Sequence, residues 1–131
     1  MKIVNVAVGV VVNEQKQILL AKRAKEQHQG GLWEFPGGKV ELGESTFKAL
    51  VREFKEEVDL ELEHGQPLIL IEHDYGDKQV RLDTWLVEQF SGSARGVEGQ
   101  EVRWVPVAEL ANYEFPAANQ AILQAINQTL G

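Results

Sequence analysis

At 131 residues, with 44% hydrophobic and 25% charged positions, a net charge of −7 and no cysteine, the chain has the make-up of one soluble globular domain spanning 1–131. The missing cysteines exclude disulfides and thiolate metal sites, so a metal would be held by carboxylate, carbonyl or imidazole groups, which favours a hard cation. Apolar runs far shorter than a bilayer and an N-terminus without a cleavage signal point to a cytoplasmic protein with no membrane partner, and residues 41–63, with eight acids against three bases, argue against stable nucleic-acid binding.

In chain order, the β-branched run at 2–12, the polar turn "NEQK" and the apolar run at 17–22 predict a long hairpin. "KEQHQGG" reads as a polar loop, and "LWEFPGG" as a short aromatic segment ended by proline and paired glycines. The period then switches: Phe47, Leu50, Val51, Phe54 and Val58 recur at helical spacing, with Ser45 as the N-cap. "PLILIEHDY", a turn at "GDK" and "QVRLDTWLVEQF" predict a second long hairpin. Residues 91–101 read as a loop, "VRWVPVAEL" as a brief strand with one helical turn, and a last helix begins after Phe115-Pro116 and runs toward Leu130. Strands outnumber helices without strict βαβ alternation, so an α+β domain with a mixed sheet flanked by helices is expected.

Within the 45–58 helix, Glu53, Glu56 and Glu57 share a flank separate from the apolar face. A solvated acidic face is the commoner meaning of such a cluster. Against it, the Glu53–Glu57 i,i+4 pair costs about 0.2–0.5 kcal/mol if unrelieved, and acids near a helix C-terminus oppose the macrodipole. These penalties make a divalent cation attractive there without requiring one.

The wider spacing is more specific. Residues 38–60, "GKVELGESTFKALVREFKEEVDL", run glycine, five residues, Glu44, seven residues, Arg52-Glu53, Phe54, one residue, Glu56-Glu57, one residue, Asp59 and Leu60. This stretch closely resembles the Nudix box of the Nudix hydrolases, departing from its fixed positions only at Asp59, where a glycine is expected. Asp59 is expected to leave the helix with φ > 0, which aspartate tolerates better than most residues; the departure bears on local stability more than on chemistry.

The resemblance implies an α/β/α sandwich with a catalytic loop-helix-loop that grips Mg²⁺, with Mn²⁺ as a substitute, and hydrolyses a nucleoside diphosphate linked to another moiety. It assigns Glu53, Glu56 and Glu57 as metal ligands, with Gly37 adding its backbone carbonyl. Glu53 would act as base or water-positioner. Arg52 would orient a glutamate through a charge-assisted hydrogen bond. Glu44 would support the cluster from the loop, although from local chemistry alone it is equally a charge preceding the N-cap.

Outside the box, "WLVEQF", "VEGQE" and "FPAANQAI", together with "KRAKEQHQGGLWEFPGGKVE", are similar to MutT-type members of the family, which hydrolyse oxidised guanine nucleotides. In that subgroup the position of Glu98, here in a glycine-flanked loop, supplies a further metal or base carboxylate; without the resemblance a surface glutamate is the simpler reading. Asn119 is the discriminating candidate. Guanine shows two acceptors on its outer edge, O6 and N7, and oxidation at C8 puts a hydrogen on N7. One Asn amide then donates to O6 and accepts from N7–H, whereas unmodified guanine would oppose two acceptors. An exposed first-turn asparagine is the alternative.

In MutT-type relatives the positions of Lys39 and Arg23 face the nucleotide, so the resemblance assigns both to substrate contact, although a solvated surface base is the commoner role of either; Gly38 allows close approach of a ligand, and Phe35 walls the base pocket or equally belongs to a core strand. His28 is a loop residue outside the catalytic set. The expected partner is a small nucleotide and the expected state a monomer. Two other functions stay open: a relative preferring a pyrimidine triphosphate, which Asn119 argues against, and a nucleotide-sensing module without hydrolysis, which the intact glutamates argue against.

Overall fold

The computed structural model describes residues 2–23 and 31–131. The polar loop expected at 25–31 falls, Gly31 excepted, outside the described residues, and His28 with it. In chain order the elements are β1 (Lys2–Val11), β2 (Gln17–Lys22), β3 (Trp33–Glu34), β4 (Gly37–Lys39), α1 (Thr46–Val58), β5 (Glu61–Asp74), β6 (Lys78–Ser91), β7 (Val102–Pro106), 3₁₀ segments at Val107–Asn112 and Ala117–Asn119, and α2 (Gln120–Leu130). No helix among the described residues is long and apolar enough to cross a membrane.

Two sheets form the middle of the molecule. The larger has the order β4-β1-β6-β5 and is mixed, with β1 parallel to β6 and the other pairings antiparallel. The smaller has the order β3-β2-β7 and is antiparallel. The expected mixed sheet flanked by helices is thus the observed architecture. β1 explains the layering. Residues Ala7, Val8, Val10 and Val11 are all buried, as befits a strand covered on both faces. Ala7 and Val11 pack with Leu50, Phe54 and Val58 of α1. Val8 and Val10 join Phe35, Phe115 and, from α2, Ile122 and Ile126. Alternate side chains therefore feed two cores, one under each helix.

The first predicted hairpin is corrected. β1 and β2 have the expected extents but lie in different sheets, joined only by an isolated bridge between Val12 and Ile18. The turn at 13–16 carries the chain across: Asn13 accepts through its side chain from the Gln15 and Gln17 amides, and Lys16 takes a positive φ of 59°. The β5–β6 hairpin forms as expected, but β5 begins at Glu61, six residues before the apolar run, and is bulged around His64 and Pro67.

α1 is set by its ends. Ser45 accepts from the Lys48 amide at 3.2 Å, the expected N-cap. At the other end Asp59 adopts φ 60° and ψ 35°, and its N–H and that of Leu60 both turn back to the Phe54 carbonyl. A non-glycine residue in this left-handed conformation costs about 1–2 kcal/mol, aspartate less than most. Gly9 lets the helix settle: a Cβ there would lie 2.5 Å from the Phe54 ring.

Candidate active site

The acidic flank of α1 is organised by Arg52. Its Nε and Nη2 donate to both carboxylate oxygens of Glu44 at 2.8 and 2.9 Å, Nη1 donates to Glu53 at 3.1 Å, and Nη2 donates to the Lys39 carbonyl at 3.1 Å. Glu56 lies 3.6 Å from Nη1, one turn along. Helical spacing makes the Arg52–Glu56 contact automatic, whereas the bidentate grip on Glu44 ties the loop after β4 to the helix. Glu44 also accepts from the Glu41 amide at 2.9 Å. The hydrogen bonds from Arg52, then that from Glu41, hold the Glu44 carboxyl down at about 2.

Glu57 has the opposite environment. Burial pushes its carboxyl up to about 8, and the neighbouring carboxylates of Glu53, Glu34 and Glu98 push the same way, as does a hydrogen bond to Glu53 that the protonated form makes. Glu53 is itself largely covered, its side chain 16% exposed, while that of Glu56 is 60% exposed on the rim. The space for the Glu53 carboxylate is made by Gly38, where a Cβ would stand 2.3–2.6 Å from it. The glycine predicted to admit a ligand therefore first admits a catalytic candidate.

Beside this flank opens a cleft of about 420 Å³ lined by Val6, Val8, Arg23, Glu34, Phe35, Gly37, Gly38, Lys39, Glu57, Leu82 and Asn119. Six elements contribute, which is why residues as far apart in sequence as Val6 and Asn119 meet in it. Phe35 is buried and stacks on Phe115 with ring centroids 5.2 Å apart, so it belongs to the core and to the cleft wall together. Asn119 lies at the N-cap position of α2, one residue before the helix instead of just inside it, and its side chain makes no capping hydrogen bond. Lys39 is exposed at the mouth. A larger cleft of about 600 Å³ between the first 3₁₀ segment and α2 has Glu114 as its one charged lining residue and lacks the charges that phosphate chemistry demands.

Glu98 sits exposed on the loop between β6 and β7. That loop is laid against the end of α1: the Val97 amide and the Gln100 side chain both donate to the Glu57 carbonyl at 3.0 Å, and Gln100 in turn accepts from the Glu98 amide at 3.0 Å. The Glu57 carbonyl, one of the four that a helix end leaves without an intrahelical partner, is thereby satisfied.

One residue was not singled out from sequence. Glu34, between Trp33 and Phe35, points into the cleft and accepts from Arg23 Nη1 at 2.5 Å. Burial raises its carboxyl, and Arg23 opposes that rise. The available signal was a lone acid inside an aromatic strand, close behind an arginine that ends the neighbouring strand.

Among the described residues no three acidic or imidazole groups stand as a ready-made metal cage. Two carboxylates, Glu53 and Glu57, converge, with Glu34 and Glu98 near enough to raise the acidity cost of Glu57 and Glu56 on the rim. This donor set fits a hard divalent cation: oxygens only, with an excess of negative charge.

The chain is matched by the family model described as NUDIX domain over residues 7–125. It is 36% identical over 128 residues to an 8-oxo-dGTP diphosphatase of Escherichia coli K12, covering 98% of this chain and 99% of that one. It is 35% identical over 125 residues to a CTP pyrophosphohydrolase of the same organism, covering 95% and 92%. Among solved structures, one from a study of MutT from Aliivibrio salmonicida and Vibrio cholerae superposes with a TM-score of 0.87 at 40% identity, covering 97% of this chain and 99% of that one. The Nudix-box spacing, the sandwich around Arg52 and its glutamates, and these full-length likenesses agree: the chain belongs to the Nudix hydrolase family and is of the MutT type.

Proposed function

We propose that this protein hydrolyses 8-oxo-dGTP to 8-oxo-dGMP and pyrophosphate in a Mg²⁺-dependent reaction, with Mn²⁺ as a substitute, acting as a monomer on the free nucleotide pool of the cytoplasm. The observation that carries the reading is the single cleft that has Asn119 and Phe35 among the same walls as Gly37, Gly38, Lys39 and Glu57. A nucleotide spans such a cleft with its base on the Asn119 side and its phosphates over the glycines. Members of the family in general need a divalent cation. Glu53, Glu56, Glu57, Glu98 and the Gly37 carbonyl would hold it, and when bound it neutralises phosphate charge and acidifies the attacking water.

The chain's own residues supply the remainder. Lys39 and Arg23 meet the phosphates, and Glu34 orients Arg23. Glu53 takes the proton of the water that attacks the β-phosphorus, and the bond to the α-phosphate oxygen breaks to release the monophosphate. Arg52 fixes the rotamer of Glu53, and Glu44 fixes Arg52. Asn119 reads the acceptor-donor edge of the oxidised base. A mismatch there costs about 1–3 kcal/mol.

The near-equal identity to a CTP pyrophosphohydrolase favours one second reading, a pyrimidine triphosphate as substrate. Supplying 8-oxo-dGTP, dGTP and CTP in parallel with Mg²⁺ and measuring pyrophosphate separates them. A preference for 8-oxo-dGTP is expected; equal use of it and dGTP rejects the oxidised-base assignment, and a preference for CTP supports the second reading. Asn119→Ala should lower the preference for 8-oxo-dGTP over dGTP by roughly 5- to 150-fold, the equivalent of that mismatch.

A further inference from the structure

Asp59 replaces a glycine at a backbone position where glycine is unstrained. Its side chain is engaged in a way glycine cannot be. Arg95 Nε donates to Oδ2 at 3.2 Å, and Lys55 Nζ lies 3.3 Å from Oδ1 and 3.2 Å from Glu61. Arg95 lies in the loop that carries Glu98, and its own amide donates to the Val58 carbonyl at 3.0 Å. Two residues on, the Val97 amide holds the Glu57 carbonyl. Gly92, at the start of the loop with φ 101°, packs so closely that a Cβ would stand 3.2 Å from the Asp59 carbonyl. The loop is therefore seated on the C-terminal end of α1 at several successive points, and Asp59 supplies the charged one.

We propose that Asp59 is a positioning residue: through its ion pair with Arg95 it fastens the 92–100 loop to the end of α1 and so sets where the Glu98 carboxylate stands relative to Glu57. The inference rests on the proposed role of Glu98 in nucleotide hydrolysis, but the fastening itself is measurable without turnover. A side chain that only relieves a helix end would leave Glu98 indifferent to it. A fastening makes the two positions dependent on one another.

Asp59→Gly restores an unstrained backbone and Asp59→Asn keeps the left-handed preference without the charge, so both fold. With 8-oxo-dGTP and Mg²⁺ saturating, each should lower kcat by about two- to fivefold, the range an exposed ion pair transmits, with KM nearly unchanged; Arg95→Met should do the same and Arg95→Lys should keep most of the rate. In a Glu98→Gln background, Asp59→Gly should cost nothing further. Hydrogen exchange at the Val97 amide should quicken in Asp59→Gly, and 0.5 M NaCl, an added level at which surface pairs are screened to roughly a 4 Å range, should quicken it in the parent chain but not in that variant. An equal kcat loss with and without Glu98, or an unchanged exchange rate at Val97, overturns the proposal. A protein that releases no pyrophosphate from any nucleotide refutes the proposed function instead, while the exchange measurement still decides whether the loop is fastened.

Discussion

Glu44 and Glu57 lie at opposite ends of the same loop-helix segment and have opposite electrostatic fates. Glu44 receives two hydrogen bonds from Arg52 and one from a backbone amide, and its carboxyl is held at about 2. Glu57 is half-buried, with the carboxylates of Glu53, Glu34 and Glu98 near it, and its carboxyl is pushed up to about 8. The protein pairs the first carboxylate with its own arginine and sets the second among other carboxylates. On the proposed reading Glu44 is a buttress with a permanent partner, and Glu57 a ligand whose negative surroundings an exchangeable cation would offset.

The largest expected break in this comparison comes at the residue between the two. Glu53 touches Arg52 on one side and Glu57 on the other, and Glu53→Gln should lower kcat by about 10²–10⁴-fold, the range for loss of a general base, while circular dichroism shows the fold retained. Near-normal turnover would remove Glu53 from the chemistry. Disturbing the buttress should cost less. Glu44→Gln or Arg52→Lys should lower activity by roughly 10- to 100-fold, as for groups that orient a metal ligand from behind, and Arg52→Lys fails because an ammonium cannot make the bidentate grip.

The smallest effect sharpens the comparison most directly, because the two carboxyls shift stability with pH in opposite directions. Glu57 has its folded value raised above 4.5, so between pH 4.5 and about 8 the native state holds a proton that the unfolded chain has lost, and stability falls as pH rises through that window. Glu44 has its folded value lowered, so its contribution is complete above 4.5 and disappears as pH falls toward 2. In EDTA, thermal melts should therefore show stability declining from pH 5 to 8, and Glu57→Gln should flatten that decline. Adding Mg²⁺ should restore the loss, with proton release seen as a buffer-dependent heat in calorimetry. A melting temperature that rises steadily from pH 5 to 8 in EDTA, in both proteins, would contradict the assignment.

Much of this was legible in the sequence because local spacing fixes it. The 3.6-residue period placed α1 and separated its acidic flank from Phe54 and Val58. The glycine expected at Asp59 foretold a left-handed cap, and the cap is there. Partner choice was not legible. β1 and β2 are separated by a short polar turn and each reads as a strand, but a period of two does not say which strand lies alongside; both are buried on two faces, so they were free to join different sheets. The first six residues of β5, "ELEHGQ", carry Leu62 as their one core residue, and the strand lies on a sheet edge, where apolar alternation is not required. Glu34 escaped notice because its value comes from Arg23 and Glu57, neither of them a sequence neighbour.

The two helices lie on opposite faces of β1, each over its own core, and the cleft draws Glu57 from one and Asn119 from the approach to the other. On the proposed reading, hydrolysis and base choice would be housed on separate structural supports. Substitutions around residue 119 would then retune which nucleobase is accepted while leaving the packing beneath the acidic helix untouched, a division of labour by which a single scaffold could diversify its diet without rebuilding its machinery.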